Sequence, residues 1–455
     1  MKELINLEKF KNKIFVYDKS FNDLHNTAKK IKNTINYYTN KDKIAILGNK
    51  SFEVYSAILG SVYANKTFIP LNPNLPIERI KYILSITDVD TIIITKEAIN
   101  IASSLNIDKK ITFDNLVDKE FKNNTNSKYV YIMFTSGSTG RPKGVPISKE
   151  NLKHYLNFVI NKFNITKNDR VSQTFDINFD LAMHDIFVSF ITGATLYPLK
   201  KTDLLFATKF INKHNLTIWF SVPSVAINLD KLNLLNTTNN SLRLSLFCGE
   251  ALPTYITKKW KNFAKNSEIY NLYGPTETTI AISYYKVSGN ESDLIIPIGE
   301  IFPNHEFKIV NDELLISGKQ VFDGYIGSNQ NPFIKIDNEV YYKTGDIVKY
   351  ENKILKYVNR KDFDIKIQGH RVNLLEIENL IKEKFDILGV CVPKYKDNRI
   401  EKLIFFSEEI LTQEKLKPYL PQYMIPEIVK IDKIAYTQNG KVDRKFYIQR
   451  ANNEY

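Results

Sequence analysis

From Lys43 onward the chain alternates strand-like and helix-like segments, and no other feature limits its possible architectures as strongly. The strand-like KIAILGN is followed by the apolar helical stretch SFEVYSAILGSVYA, then TFIPL, a helical pattern over Ile77–Ser85, and TIIIT. Parallel strands need a crossover between them, usually a helix, so this βαβα order implies largely parallel sheets covered on both faces. The alternation continues through Tyr129–Phe134, the helical Lys149–Asn161, Leu216–Val222, Leu242–Cys248, a helix after Pro253, and Ile269–Leu272. After Glu277 the texture changes, and Pro297–Lys356 reads as short strands separated by Gly and Asn turns. A second change near Asn359–Asp364 opens a mixed segment with helices at Leu374–Lys384 and near Thr412–Leu420. The expected class is α/β: a large N-terminal domain of stacked mixed and parallel sheets with a β-rich subdomain over 1–361, then a small α+β domain over 362–455. A chain of 455 residues, 43% hydrophobic, also exceeds what one core usually supports.

Several function classes are disfavoured. No apolar run approaches the roughly 18–20 residues of a membrane span, so membrane insertion is not expected. The opening MKELINLEKFKNK is charged throughout and has no signal-peptide core, which makes the cytoplasm the default location. Cys248 and Cys391 are far apart and carry no CxxC or Cys/His ligand spacing, so neither a disulfide framework nor a zinc site is expected. The net charge of +13 permits acidic partners, but the lysines are scattered among Asn and Glu and no nucleic-acid motif accompanies them. No nucleic-acid partner is expected.

The stretch Tyr131–Gly144, YIMFTSGSTGRPKG, runs from an apolar strand into a hydroxyl- and glycine-rich loop ending on a lysine. Gly137, Gly140 and Gly144 let backbone N–H groups approach an anion, Thr135, Ser136, Ser138 and Thr139 add rotatable donors, and Lys143 adds charge. The spacing is not Walker A, because Pro142 precedes the lysine and Gly144 follows it. Downstream, Asn271–Thr279 is NLYGPTETT, where Gly274 and Pro275 form a tight turn that presents Tyr273 and Glu277 together. Such a turn can set an aromatic ring on a purine and offer carboxylate oxygens to Mg²⁺, which takes one or two carboxylates plus phosphate oxygens. Taken alone, each is also compatible with an ordinary turn.

Together these segments resemble the adenylate-forming, AMP-binding superfamily, which includes acyl-CoA synthetases, luciferases and peptide-synthetase adenylation domains. Seven segments keep family order across nearly the whole chain, among them Phe68–Arg79, FIPLNPNLPIER, of structural character. The resemblance implies that the Tyr131–Gly144 loop covers the β- and γ-phosphates of ATP. It assigns nucleotide contacts to Thr135, Ser136, Gly137, Ser138, Thr139 and Gly140, and adenine and AMP binding to Asn271, Leu272, Tyr273, Gly274, Pro275 and Thr276. Glu277 supports the magnesium. In YKTGD at Tyr342–Asp346, Asp346 matches the reader of both ribose hydroxyls, and in YVNR the positions Tyr357 and Arg360 match ribose and phosphate contacts. The family usually has glycine before that arginine. Here Asn359 replaces it, and since asparagine tolerates positive φ the turn is expected to persist.

Asp362 falls at the family's hinge, about which the C-terminal domain rotates between half-reactions. DIKIQGHRVNLLEIE then matches a loop that faces the active site in the thioester-forming state. In NGKVDR at Asn439–Arg444, Lys441 matches the lysine that contacts the substrate carboxylate and the α-phosphate. The resemblance thus gives Lys441, Thr135, Lys143 and Glu277 catalytic roles.

FDINFDLAMHDIF at Phe175–Phe187 discriminates within the superfamily. A buried carboxylate is costly in a fatty-acid or aryl pocket, whereas an α-ammonium would satisfy it. Asp180 matches the ammonium-binding aspartate of amino-acid-activating members; as a bare residue it also suits a helix N-cap. Matching pocket positions are Leu181, His184, Phe220, Leu246, Cys248, Leu272 and Ile280, mostly bulky, which favours a small or compact side chain. His184 could line a more polar pocket or be a satisfied structural histidine. The pattern is most similar to the D-alanyl carrier protein ligases and to stand-alone peptide-synthetase adenylation domains. The reaction implied is ATP- and Mg²⁺-dependent activation of an amino acid, D-alanine foremost, as aminoacyl-AMP. Transfer to the phosphopantetheine thiol of a separate carrier protein would follow. The competing expectations are an acyl- or aryl-CoA synthetase and a non-catalytic AMP-binding scaffold.

Overall fold

The computed structural model describes all residues except 123–124, 138–140, 362, 397–398 and 437–441. It separates into two compact units. The first comprises Met1–Pro73, Thr87–Met133 and Gly144–Lys361; the second comprises Asn74–Ile86, Phe134–Lys143 and Asp362–Tyr455.

In the first unit the alternating segments form two large sheets. One runs Lys109–Thr112, Thr91–Ile94, Lys43–Leu47, Thr67–Leu71, Tyr129–Thr135 and Lys143–Ser148. Its first five strands pair in parallel, as the crossover helices require. The other has nine strands, with Glu268–Tyr273, Leu244–Phe247, Ile218–Ser221, Arg170–Gln173 and Thr195–Pro198 in parallel at its centre. The helix Phe52–Tyr63 explains itself from its sequence. FEVYSAILGSVY is apolar around its whole circumference, which fits only a helix buried on every side, and all residues from Val54 to Tyr63 are buried. Ser51 caps its start by accepting from the Val54 N–H. Gly60 is required where the helix Phe21–Tyr38 crosses, because a Cβ there would lie 2.6 Å from Ile31 Cγ2.

The helix Asp180–Thr192 is also buried along most of its length and ends on Gly193 at φ 76°, the left-handed stop that glycine provides. Its Asp185 is fully buried, and both carboxyl oxygens lack a hydrogen-bond partner among the described residues. Burial pushes its pKa well up, against a smaller lowering by the Lys50 charge.

The β-rich expectation after Glu277 corresponds to a five-strand antiparallel sheet built on the long strand Glu339–Glu351. Asp346 lies inside this strand, next to Gly345 at φ 74°. Asn359 corrects the sequence reading. It pairs with Ile347 within the strand Ile354–Arg360 and is not among the residues at positive φ, because ladder pairing holds it extended.

The second unit holds the hairpin Asp364–Ile367/His370–Asn373, the helix Leu374–Phe385, and the sheet Gly389–Lys396, Arg399–Ser407, Glu427–Lys430. The helix expected near Thr412–Leu420 is short, Gln413–Leu416. Ile377, Ile381, Cys391, Phe405 and Met424 form its core. Among the described residues, no helix is long and apolar enough to cross a membrane.

Candidate active site

In the first unit the turn after the strand Glu268–Tyr273 is built on close approach. A Cβ at Gly274 would meet Ala281 Cα at 2.6 Å, and Ile282 N–H donates to Tyr273 O at 2.7 Å. Thr279 and Ile280 then take φ values of 60° and 70°, which β-branched side chains rarely tolerate. Gln320 holds them there: its side-chain amide donates to Ala281 O at 2.8 Å and Thr278 O at 3.2 Å, and Thr279 Oγ1 donates to Gln320 O at 2.7 Å. Strain of roughly 1–3 kcal/mol per residue persists only where surrounding contacts over-determine it, and such positions cluster at functional sites.

The strained turn serves Asp180. This residue is the first helical residue of Asp180–Thr192, while Phe179 occupies the cap position without any side-chain cap bond. Asp180 is therefore not an N-cap. Burial raises its pKa to about 6; the Glu277 charge adds to this, and hydrogen bonds from Thr276 and the Leu181 and Ile280 backbone oppose it. Glu277 is fully buried and accepts from Tyr325 OH at 2.7 Å. Two acidic side chains thus face one another's field inside the fold, an arrangement that favours a cationic guest.

His184 is buried one turn further along the helix. Its Nδ1 lies 2.8 Å from Tyr155 OH, its Nε2 has no partner among the described residues, and its ring packs edge-on against Phe220 at 4.8 Å. Burial lowers its pKa to about 3, so it stays neutral. Leu181, Phe220, Leu246, Cys248, Leu272 and Ile280 are all buried in the same core cluster. Asn271 is fixed from the side, donating to Pro297 O at 2.8 Å and Ile296 O at 3.3 Å.

A second convergence joins three motifs far apart in sequence. Tyr273 OH donates to Asp346 Oδ2 at 2.5 Å, and Arg360 Nη1 donates to Asp346 Oδ1 at 2.9 Å, with the Asp346 N–H donating to Thr344 Oγ1 at 3.0 Å. Asp346 is 2% exposed, so its two oxygens are aimed by these partners and not by solvent. Tyr357 packs against the small cluster that contains Tyr273 and Val348.

In the second unit, Thr135, Ser136, Gly137 and Lys143 lie on the glycine-rich segment. Thr135 Oγ1 is buried without a hydrogen-bond partner among the described residues, a donor that suits a phosphate oxygen. Lys143 is also buried. Ser136 Oγ donates to Arg371 O at 2.5 Å, and Gly137 N–H donates to Glu376 Oε2 at 3.1 Å. Ser138, Thr139, Gly140, the hinge candidate Asp362 and Lys441 lie outside the described residues.

The donor set suits a nucleotide and a hard cation. No group of three or more His, Cys, Asp or Glu side chains that could cage a metal occurs among the described residues. Mg²⁺ needs no such cage when phosphates and water supply most ligands, and the single carboxylate of Glu277, oriented by Tyr325, fits that role. Tyr155, Gln320, Tyr325 and Glu376 were not legible as site residues, since each acts through a partner distant in sequence.

The model of the AMP-binding enzyme family matches residues 6–326. The chain is 32% identical to the D-alanine–D-alanyl carrier protein ligase of Listeria monocytogenes, over 90% of this chain and 89% of that protein. It is 29% identical to gramicidin S synthase 1 of Brevibacillus brevis over 88% of this chain and 39% of that one. Among solved structures, the Vibrio cholerae adenylation domain AlmE, crystallised with glycyl-adenosine-5'-phosphate, superposes with a TM-score of 0.87 at 28% identity, covering 98% of this chain and 95% of that one. The chain belongs to the AMP-binding enzyme family and is an ATP-dependent ligase.

Proposed function

We propose that this ligase activates a small amino acid, D-alanine foremost, as aminoacyl-AMP and passes it to the phosphopantetheine thiol of a separate carrier protein in the cytoplasm. The observation that carries the reading is Asp180, a buried acid beside Glu277 whose pKa burial raises to about 6. A fatty or aromatic acid would leave this carboxylate uncompensated, and an α-ammonium compensates it. That favours the amino-acid reading over an acyl- or aryl-CoA synthetase. The bulky lining at Leu181, Phe220, Leu246, Leu272 and Ile280 favours a short side chain, in keeping with the Listeria relative named for D-alanine.

In the first half-reaction a carboxylate oxygen of the amino acid attacks the α-phosphorus of ATP. The bond to the β-phosphate oxygen breaks, and pyrophosphate leaves with the electron pair. Asp180 holds the ammonium and so aims the carboxylate. Asp346, held by Tyr273 and Arg360, would accept from the ribose hydroxyls. Gly137 and its loop neighbours donate to the departing phosphates, and Lys143 and Lys441 offset the charge that builds up on phosphate and carboxylate. Mg²⁺ on Glu277 would supply Lewis-acid neutralisation of phosphate charge. In the second half-reaction the carrier thiol, losing its proton, attacks the acyl carbon and AMP departs. We further assign domain limits of 1–361 and 362–455, with rotation about Asp362 between the two steps.

An ATP–pyrophosphate exchange assay across D- and L-amino acids, fatty acids and aryl acids tests the reading, followed by mass spectrometry of a phosphopantetheinylated carrier protein. Exchange driven by D-alanine, with a mass increase on the carrier, is expected; exchange driven only by a fatty or aryl acid overturns it.

A further inference from the structure

The glycine-rich segment already contacts an anion, and that anion belongs to the protein. Glu376, in the first turn of the helix Leu374–Phe385, is 1% exposed. Its Oε2 accepts the Gly137 N–H at 3.1 Å, and its Oε1 accepts from Arg79 Nη1 at 2.7 Å. A carboxylate oxygen taking a backbone N–H from a glycine-rich loop makes the same charge-assisted bond as a phosphate oxygen would.

Glu376 is oriented by the start of its own helix. Asn373 Oδ1 accepts the N–H groups of Leu375 at 3.0 Å and Glu376 at 3.3 Å, which anchors the helix start. Asn373 Nδ2 in turn donates to Asp364 Oδ1 at 2.5 Å, and Arg371 Nε donates to Asp364 Oδ2 at 2.6 Å. The loop side is equally constrained. A Cβ on Gly137 would lie 2.2 Å from Arg141 O, so only glycine fits at the position whose amide meets Glu376. Ser136 makes a parallel commitment, donating to Arg371 O at 2.5 Å. Two donors assigned above to the polyphosphate are thus both occupied by residues 371–376.

We propose that Glu376 is a positioning residue that stands in for a polyphosphate oxygen at the Gly137 amide, so that the Glu376 contact and binding of the β- and γ-phosphates exclude one another. ATP must displace Glu376 to engage the loop. Once pyrophosphate has left, Glu376 retakes the amide and opposes pyrophosphate re-entry, which protects the adenylate from the reverse attack. The inference rests on the loop role given under Proposed function.

The test is calorimetric titration of the full-length protein with ATP–Mg²⁺ and, separately, AMP, in the absence of amino acid. Glu376→Asp keeps a negative charge opposite Arg79 but withdraws it from Gly137. The pair Arg79→Leu with Glu376→Leu removes the ion pair together and avoids a lone buried charge. Both should bind ATP more tightly, the double variant by about tenfold, given the strength of a charge-assisted hydrogen bond. AMP, which lacks the competing phosphates, should bind as before. Equal tightening of ATP and AMP, or unchanged ATP affinity in either variant with a cooperative melt, overturns the proposal. Failure of the unmodified protein to bind ATP would sink the loop assignment as well, whereas unchanged affinity in the variants sinks only the role of Glu376.

Discussion

Replacing Asp180 with asparagine keeps the shape of the side chain and removes its charge, and the structure sets the sign of each consequence. The carboxyl titrates near 3.8 when unfolded and at about 6 in the folded chain, with burial the largest cause. That difference corresponds to about 3 kcal/mol of resistance to ionisation, an order-of-magnitude figure. Between these values the folded protein holds a proton that the unfolded chain has lost. The stability from this group is therefore fully present below 3.8 and is lost as the pH rises through about 6. Without substrate at about pH 8, Asp180→Asn should resist urea better than the parent by up to ~3 kcal/mol, and the gap should close towards about pH 4. Substrate affinity should move the other way. Loss of one partner of a buried charge pair costs about 2–5 kcal/mol, so KM for the amino acid should rise on the order of 10²–10³-fold, with KM for ATP much less affected. In the parent, that KM should fall as pH rises through about 6 and then level off. Urea titrations at several pH values and exchange kinetics supply both readouts. An Asp180→Asn protein that is less stable at about pH 8 and keeps its amino-acid KM would refute the reasoning.

Gln320→Ala releases the Thr279–Ile280 turn, so KM for the amino acid should rise about tenfold, more than KM for ATP, with stability lower by about 1–3 kcal/mol in a denaturant titration. Gly274→Ala forces a Cβ to within 2.6 Å of Ala281 Cα, where backbone must move. A loss of about 1–3 kcal/mol and a raised KM for ATP should follow, read by urea unfolding and exchange kinetics. Lys441→Ala should lower the exchange rate by about 10²–10³-fold while ATP affinity and melting temperature stay near the parent values; full exchange activity would contradict its role.

Much of the fold was legible because it is written locally. The alternation after Lys43 yields the parallel strands, and the apolar circumference of Phe52–Tyr63 yields a buried helix. The motifs gave Tyr273, Glu277, Asp346 and Arg360 as site residues, and the structure joins Tyr273 and Arg360 on Asp346. What stayed hidden depends on contacts across long sequence separations. Tyr325 reaches Glu277 across 48 residues, Gln320 reaches Thr279 across 41, and Glu376 reaches Gly137 across 239. No local pattern marks such pairs, since each is set by how separate elements pack. Asn359 departs from the expected turn for the related reason that sheet pairing with Ile347 overrides its tolerance of positive φ.

The most direct test of the central claim compares D-alanine with propionate, acids of the same carbon skeleton that differ by the α-ammonium. Both would be offered at equal concentration in ATP–pyrophosphate exchange. The buried Asp180 predicts strong exchange with D-alanine and none measurable with propionate; comparable exchange with both, or exchange with propionate alone, would contradict amino-acid activation.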